Sequence, residues 1–470
     1  MTAKKGCNVP IVLYCLILLS TPFLQAKEQI ETIFNSPPNS DHSILNPNET
    51  IDDTVCNFLN RALPGDMVYI AAYNISGTKI KTAFMDTVTR IGKNAVFLIY
   101  EKSNTANFME VLGPGKIENF KDDGTTDSAK LMHNKFIVIK DKAVLTGSYN
   151  FTVNAAYNDN NNIVIITSRE VARLYEMEFK NMYDTGIFGA TKSTSTHNPW
   201  WNGCSVDVGG ALVDVWFSPY SIPGQTNTEI KAELKSAIQE VNFAVYTIGL
   251  NTGIDNELIN LKNNSVAVNG ILEKSQVMAS YDNMKSAGVN VIEDLNPGLM
   301  HHKYAVIDPG LSTAKVITGS HNWTTTANNC NDENLVVIKS EYIAGRYASE
   351  FNSMMKTFNA QHTDRRDCGQ VIREIKVYPS PAEKYVKINF IIDISPSKAV
   401  LNVYSAGGRR VYTRNITAEI IGNSFNEYIW YLGDTTGTRV PPGLYTLEIV
   451  VQSTDEKCTV IRKKVGIKSI

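Results

Sequence analysis

Nothing in this 470-residue chain reads as a zinc site or a disulfide scaffold. Its seven cysteines are scattered and no two stand in a CxxC spacing, the arrangement that metal ribbons and redox motifs use. Long apolar runs are equally scarce. The one candidate, IVLYCLILLS near the N-terminus, is shorter than the roughly 20 residues a spanning helix needs. Lys4 and Lys5 precede it, and TPFLQA and then polar KEQIE follow. Residues 1–26 therefore read as an export signal with Ala26 at the cleavage point, rather than as an uncleaved anchor. The expected location is secreted or cell-surface. Cys7 and Cys15 would leave with that segment. Cys56, Cys204, Cys330, Cys368 and Cys458 remain, enough for one or two disulfides whose pairing the spacing does not fix. A strong charge of either sign is also missing. The net charge of −2 divides into +2 over residues 1–26, −9 over 27–370 and +5 over 371–470. An acidic body argues against a broad basic face that grips nucleic acid, although a local basic cleft remains compatible with it.

What the chain does contain is a repeat. VYIAAYNI (68–75) resembles VNFAVYTI (241–248), and FLIYEKSN (97–104) resembles NGILEKSQ (269–276). MHNKFIVIKDKAVLTGSYN (132–150) is matched by MHHKYAVIDPGLSTAKVITGSHN (300–322), and NDNNNIVII (158–166) by CNDENLVVI (330–338). Tyr73/Tyr246, Glu101/Glu273, His133/His301 and Asn150/Asn322 lie 173, 172, 168 and 172 residues apart. A separation this constant implies a duplicated domain, with a period far too long for a solenoid.

Each half alternates short β-branched or aromatic runs with helix-like segments. KIKTAFMDTVTRI and NTEIKAELKSAIQEV are two of these, and amphipathic EVARLYEMEFKNMY and EYIAGRYASEFNSMMK close the halves. The expected fold class is α/β, two sandwich domains sharing a pseudo-two-fold active site. Their expected limits are 51–188 and 206–362, with linkers at 27–50 and 189–205. After about residue 370 helical periodicity stops. VKINFII, AVLNVYSA, RRVYTRNI, EYIWYLGD, GLYTLEIVV and CTVIRKKVGI predict a C-terminal all-β, immunoglobulin-like sandwich over 371–470.

The chemistry sits in the two His/Lys stretches. Residues i and i+2 of a strand share a face, so His133 projects with Lys135 and His301 with Lys303. Each copy continues into a glycine-led polar turn, Ser148 and Asn150 in one, Ser320 and Asn322 in the other. If the halves face each other, one cleft holds two His, two Lys and two Asn. That set suits attack on a phosphodiester: one neutral imidazole as nucleophile, the other protonating the leaving oxygen. Lys and Asn then hold the charge of the non-bridging oxygens. The reaction calls for no cofactor and no metal. Trp323, Tyr149 and the pair Trp200/Trp201 could line a groove, but aromatic residues near turns are more often packing. Met132 and Met300 read as core.

HxKxxxxD followed by GSxN, twice per chain, resembles the phospholipase D superfamily of phosphodiesterases over roughly residues 45–360. HHKYAVID, TGSHNWT and NDENLVVI are most similar to the branch that includes small bacterial endonucleases. The resemblance implies a covalent phosphohistidine, released by water or by an alcohol. It carries His301, Lys303, Asp308 and Asn322 as a full second motif, with Glu333 as the acid that orients a catalytic His. In the first copy His133, Lys135, Ser148 and Asn150 match, but Lys140 replaces the motif Asp and Asn161 stands where the second copy has Glu333. A carboxylate behind an imidazole fixes its tautomer and raises its basicity. The expectation is that Glu333 serves His301 as proton donor, leaving His133 as nucleophile; decay of the first site is the rival account of the divergence.

VYPSPAEKYVKINF, LNVYSAGGRRV, GTRVPPGLYTLEIVV and the basic ending VIRKKVGIKS resemble the sorting domains of type IX secretion cargo. They are also similar to the immunoglobulin-like domain of flagellar hook-capping proteins. This implies type IX machinery as a partner of residues 371–470; no stable protein partner is otherwise expected. The expected function is a secreted phosphodiesterase acting on phospholipid, narrowly ahead of a nuclease acting on DNA or RNA. A binding protein with a decayed first motif is the non-catalytic alternative. Exposed apolar loops beside the cleft would favour lipid, and Lys/Arg lining a groove would favour nucleic acid.

Overall fold

The computed structural model describes residues 29–35, 50–127, 130–193, 201–220, 225–276, 279–296, 298–366, 372–392, 396–406, 410–421, 424–453 and 458–469. The expected export signal, Trp200 and Cys368 lie outside them. Two compact units result, one ending at Met355 and one comprising Lys356–Ile470.

The first unit contains two mixed sheets. One is formed by β1 (Ile30–Phe34), β2 (Val68–Ala72), β3 (Val96–Tyr100), β4 (Asn119–Asp122), β5 (Lys135–Ile139), β6 (Ala143–Gly147) and β7 (Asn162–Ile166), in the order β1-β7-β6-β5-β2-β3-β4. The other is formed by β8 (Cys204–Val208), β9 (Ala211–Ser218), β10 (Glu240–Val245), β11 (Ala267–Leu272), β12 (Asn290–Glu293), β13 (Lys303–Ile307), β14 (Lys315–Gly319) and β15 (Glu333–Lys339). Its order, β8-β9-β15-β14-β13-β10-β11-β12, repeats the first with β8 added at one edge. The central strands KFIVI and KYAVI are buried along their whole length, which is why they read as unbroken apolar runs rather than alternating ones. Parallel pairing of β2 with β3 and β10 with β11 requires crossover segments, and the helices Thr78–Ile91 and Ile254–Asn263 supply them. Trp323 and Tyr149 are packed in the two apolar cores and Trp201 is buried, so packing is their role. Met132 and Met300 are buried as well.

Three expected boundaries move. Residues 30–34, assigned to a linker, pair antiparallel with β7 from Ile30↔Ile166 to Phe34↔Asn162. Four of the five side chains of IETIF are buried there, so this stretch completes a sheet edge. The described ends of 189–205 are likewise structured: a short helix, Ala190–Ser193, carries buried Lys192, and β8 begins at Cys204. The helix-like run NTEIKAELKSAIQEV stops at Lys235. Beyond it the backbone amides of Ile238, Gln239 and Glu240 turn onto the Asp308 carboxylate at 2.8–3.2 Å.

The second unit contains β16 (Ile372–Tyr378), β17 (Val386–Ile392), β18 (Pro396–Ser405), β19 (Arg410–Asn415), β20 (Ser424–Trp430), β21 (Gly443–Ser453) and β22 (Cys458–Ile467). They form a three-stranded sheet, β16-β17-β20, and a four-stranded one, β19-β18-β21-β22. Ile388 and Phe390 of the first sheet and Leu401, Val403, Leu447 and Ile449 of the second belong to one core. The helix Glu341–Arg366 runs into the start of this unit, and from Ile372 onward the only helical turn among the described residues is Thr417–Glu419.

Candidate active site

Both motif histidines stand two residues before a central strand, where the chain leaves one half and touches the other. Met132 bridges Asp332, and Asn160 bridges Met300. The His133 amide donates to Asp332 O and the His301 amide to Asn160 O, both at 3.0 Å. Each strand start is tied from below by a buried glutamate. Glu101 accepts the Met132 amide at 2.8 Å, and Glu273 accepts the Met300 amide at 2.7 Å. The repeat marks these glutamates without revealing their task, because nothing in EKS specifies which distant amide it will hold.

The sequence-derived residues converge with two exceptions to expectation. The first is the crossed pairing behind the imidazoles. His133 Nδ1 lies 2.8 and 2.9 Å from the two carboxylate oxygens of Glu333. His301 Nδ1 lies 2.9 Å from Asn161 Oδ1. Glu333 therefore serves the histidine of the other half, not His301. The bridges explain this: each β-strand that follows the motif starts beside the opposite half's His loop, so Glu333 at the head of β15 and Asn161 just before β7 reach across. The motif serines complete both arrangements. Ser320 donates to Glu333 at 2.6 Å while accepting the Asn334 amide, and Ser148 donates to Asn161 at 2.9 Å while accepting the Asn162 amide. Asn161 Nδ2 donates to Ala155 O, which fixes its amide with the oxygen toward His301. With Nδ1 committed as a donor, Nε2 of each histidine keeps its lone pair.

The second exception is Asp308, placed by the motif among the catalytic residues. It lies past the far end of β13, at φ +50°, and is spent on the three amides described above. Four residues of extended chain separate it from Lys303. It is a turn residue. Its counterpart Lys140 approaches Glu176 at 3.8 Å and takes no part in the cluster either.

Lys135 and Lys303 are buried and each donates to the carbonyl of its own histidine, at 2.7 and 2.6 Å. Burial pushes the Lys135 ammonium down to about 7, against the pull of Glu333. Burial and then Lys135 push Lys303 well below the usual lysine range. His133 is held well below 6.5 by burial and by both lysines, and His301 by burial, Lys303 and Lys135. Burial raises Glu333 to about 7, with Lys135 opposing. These mutual influences place all five groups around one point. Asn150 and Asn322 are half-buried two residues past the serines, and their Oδ1 atoms have no hydrogen-bond partner among the described residues.

A buried network that sequence reading missed holds the His133 side. Lys192, from the supposed linker, bridges Glu178 at 2.5 Å and Asp332 at 2.8 Å, and Gly189 donates its amide to Asp332. Tyr220 donates to Glu178. No local pattern in GATKS signals this, since the partners come from three separate parts of the chain. Elsewhere, Asp214, Glu229 and Glu233 form a buried acidic cluster among the described residues, and Lys339 and Lys315 pair with Asp214 and Glu233 at 2.8 and 2.6 Å.

Comparison with known proteins agrees with this geometry. The family model described as cardiolipin synthase, PLD-like domain, matches residues 55–183 and again 230–355. A mitochondrial cardiolipin hydrolase of Chlamydomonas reinhardtii is 30% identical over 128 residues, 27% of this chain and 55% of that protein. A phospholipase D of Rickettsia prowazekii is 29% identical over 184 residues, 38% of this chain and 85% of that protein. The chain thus spans about half the length of the first of these relatives. Among solved structures, the phospholipase D family member Nuc of Salmonella typhimurium is 23% identical with a TM-score of 0.28, covering 31% of this chain and 95% of that one. Phosphatidylserine synthase of Haemophilus influenzae is 12% identical with a TM-score of 0.49, covering 71% and 86%. With matches to both halves that together take in more than half of its residues, the chain belongs to the cardiolipin synthase, PLD-like domain family.

Proposed function

We propose that this protein is an exported phosphodiesterase that cleaves phospholipid head groups through a phosphohistidine, using two copies of one unit related by a pseudo-two-fold axis. The crossed pairing of His133 with Glu333 and His301 with Asn161 carries the reading, because it makes the two histidines chemically unequal. His133 Nε2 attacks phosphorus as the neutral base. The P–O bond to the leaving group breaks as the P–N bond forms, and His301, which takes up a proton on Nε2 when the anionic substrate enters, passes that proton to the leaving oxygen. The positive charge that develops on His133 is balanced by Glu333 at 2.8 Å. His301, backed only by a neutral amide, is the stronger acid of the two and the better donor. Lys135, Lys303 and the amides of Asn150 and Asn322 take up the charge on the non-bridging oxygens. Water then attacks the phosphohistidine, gives a proton to His301, and frees His133.

Four loops of the rim support lipid over nucleic acid, with Lys102 and Lys274 standing on the turns after β3 and β11. Loops 73–77, 148–158, 246–253 and 320–331 leave the edge of the sheets where the histidines stand and contain no Lys or Arg. Val153 and Leu250 on these loops are 50% and 47% exposed, and Met109 on a neighbouring loop 61%. A groove tracking a polyanion needs cations at that position, whereas exposed apolar tips suit a bilayer surface. Export through residues 1–26, and type IX sorting through residues 371–470 as an immunoglobulin-like sandwich, complete the proposal. Protein beginning at Lys27 is incubated in chelator with phosphatidylcholine vesicles and, separately, with plasmid and single-stranded DNA. Head-group release abolished by His301→Ala supports the reading. DNA nicking abolished by the same change replaces it with a nuclease, and no turnover of either leaves a binding protein.

A further inference from the structure

We propose that Tyr73 and Tyr246 are positioning residues of this site, each holding its motif lysine as an ammonium through the face of its ring. The proposal rests on the phosphodiesterase reading and adds to it two residues outside the motifs. Lys135 Nζ lies 5.0 Å from the centroid of Tyr73, and Lys303 Nζ 5.1 Å from that of Tyr246. Both are within the roughly 6 Å at which a ring quadrupole attracts a cation. The same rings meet the histidines edge-on, at 4.9 Å for His133 and 5.5 Å for His301. The placement follows from register. Each tyrosine follows the last residue of its strand, and its amide donates to the residue between His and Lys, Tyr73 to Asn134 O at 3.1 Å and Tyr246 to His302 O at 2.8 Å.

The lysines need this help. Each ammonium has three N–H groups, and one is spent on its histidine's carbonyl. The charged groups facing Lys135 are Glu333, Lys303 and His133. Those facing Lys303 are Lys135, Glu333, Asp159, Glu273 and His301. Both buried cations thus lean on Glu333, Asp159 and Glu273 add to it for Lys303, and a ring face is a further source of stabilisation on each. The hydroxyls are not the working part: burial, then Glu101 for Tyr73 and Glu273 for Tyr246, raises both above the usual phenol value, so they stay protonated at any pH where the lysines titrate. Both rings are half-buried, unlike the fully packed Trp323 and Tyr149.

The test follows lysine protonation directly in the protein beginning at Lys27. Lysine is labelled with carbon-13 at Cε, and the Lys135 and Lys303 signals are assigned with Lys135→Arg and Lys303→Arg. Tyr73→Met and Tyr246→Met should each lower the titration midpoint of the facing lysine by about half to one pH unit, with the other lysine moving less. Tyr73→Phe and Tyr246→Phe should keep the wild-type midpoints. Tyr→Leu at each position repeats the loss if a Met variant fails to fold. Midpoints unmoved by Met and Leu, or moved as much by Phe, overturn the proposal. The alkaline limb of kcat/KM on bis(p-nitrophenyl) phosphate should shift with the lysine. Because the titration needs no turnover, an inactive wild type sinks the functional reading without deciding the lysine result.

Discussion

Replacing Glu333 by Gln isolates the asymmetry on which the mechanism rests. The substitution keeps size and removes a charge that touches His133 Nδ1 at 2.8 and 2.9 Å. At an effective dielectric of about 20, unit charges about 3 Å apart attract by roughly 5–6 kcal/mol. This attraction exists only once attack has made His133 cationic, so it lowers the barrier and leaves substrate binding alone. The amide dipole of Gln and local relaxation return part of it. A net loss of about 2.7–4 kcal/mol corresponds to a fall in kcat of roughly 100- to 1,000-fold. The assay is steady-state hydrolysis of bis(p-nitrophenyl) phosphate in chelator, with thermal unfolding alongside. Asn161→Ala removes only a neutral hydrogen bond from His301 and should cost about tenfold. A Glu333→Gln enzyme that keeps its fold and loses less than about fivefold in kcat refutes the reasoning. So does acid-quenched protein carrying phosphate on His301 instead of His133.

Activity should also fall on the alkaline side earlier than ordinary lysines would allow. Lys135 titrates near 7 and Lys303 below its usual range, so kcat/KM should decline as pH rises through neutrality, read from a pH–rate profile. Asp308→Ala should cost about 3 kcal/mol in chemical denaturation, by orphaning the amides of Ile238, Gln239 and Glu240, with kcat of the folded fraction within about threefold of wild type. Lys192→Met strands Glu178 and Asp332 without their cation and should destabilise by about 3–5 kcal/mol, measured the same way. Glu350 is buried, neither oxygen is hydrogen-bonded among the described residues, and burial alone raises its carboxyl well above 4.5. Its folded form therefore keeps a proton that the unfolded chain releases above about pH 4.3, and stability is lost as pH rises from there toward the folded value. Glu350→Met should stabilise by about 1–3 kcal/mol near neutral pH and by less at pH 4, measured by denaturation at both.

The sequence alone was sufficient for the content of the site. FIVI and YAVI must lie in sheet interiors, because apolar burial requires it, whereas the histidines stand two residues before the strands that Lys135 and Lys303 open rather than sharing a strand face with them. The four landmarks at nearly constant separation anticipated the matching strand orders of the two sheets and the two matches to one family model. The sandwich strands after residue 370 were legible from alternation and turns, and six of the seven appear where the apolar runs placed them. Other facts depend on which chain segments meet, and spacing carries no record of that. Glu333 serves His133 because the start of β15 bridges the opposite half's loop. IETIF is a strand because β7 offers it an edge, and Lys192 is a buried partner because Glu178 and Asp332 converge on it. Asp308 looked catalytic because the motif includes it, yet its carboxylate is consumed by three amides that only the turned chain brings within reach. Local periodicity thus determined which side chains reach the cleft. The partner of each one was decided by long-range contacts, whose energy depends on distances that exist only after the two halves have closed on each other.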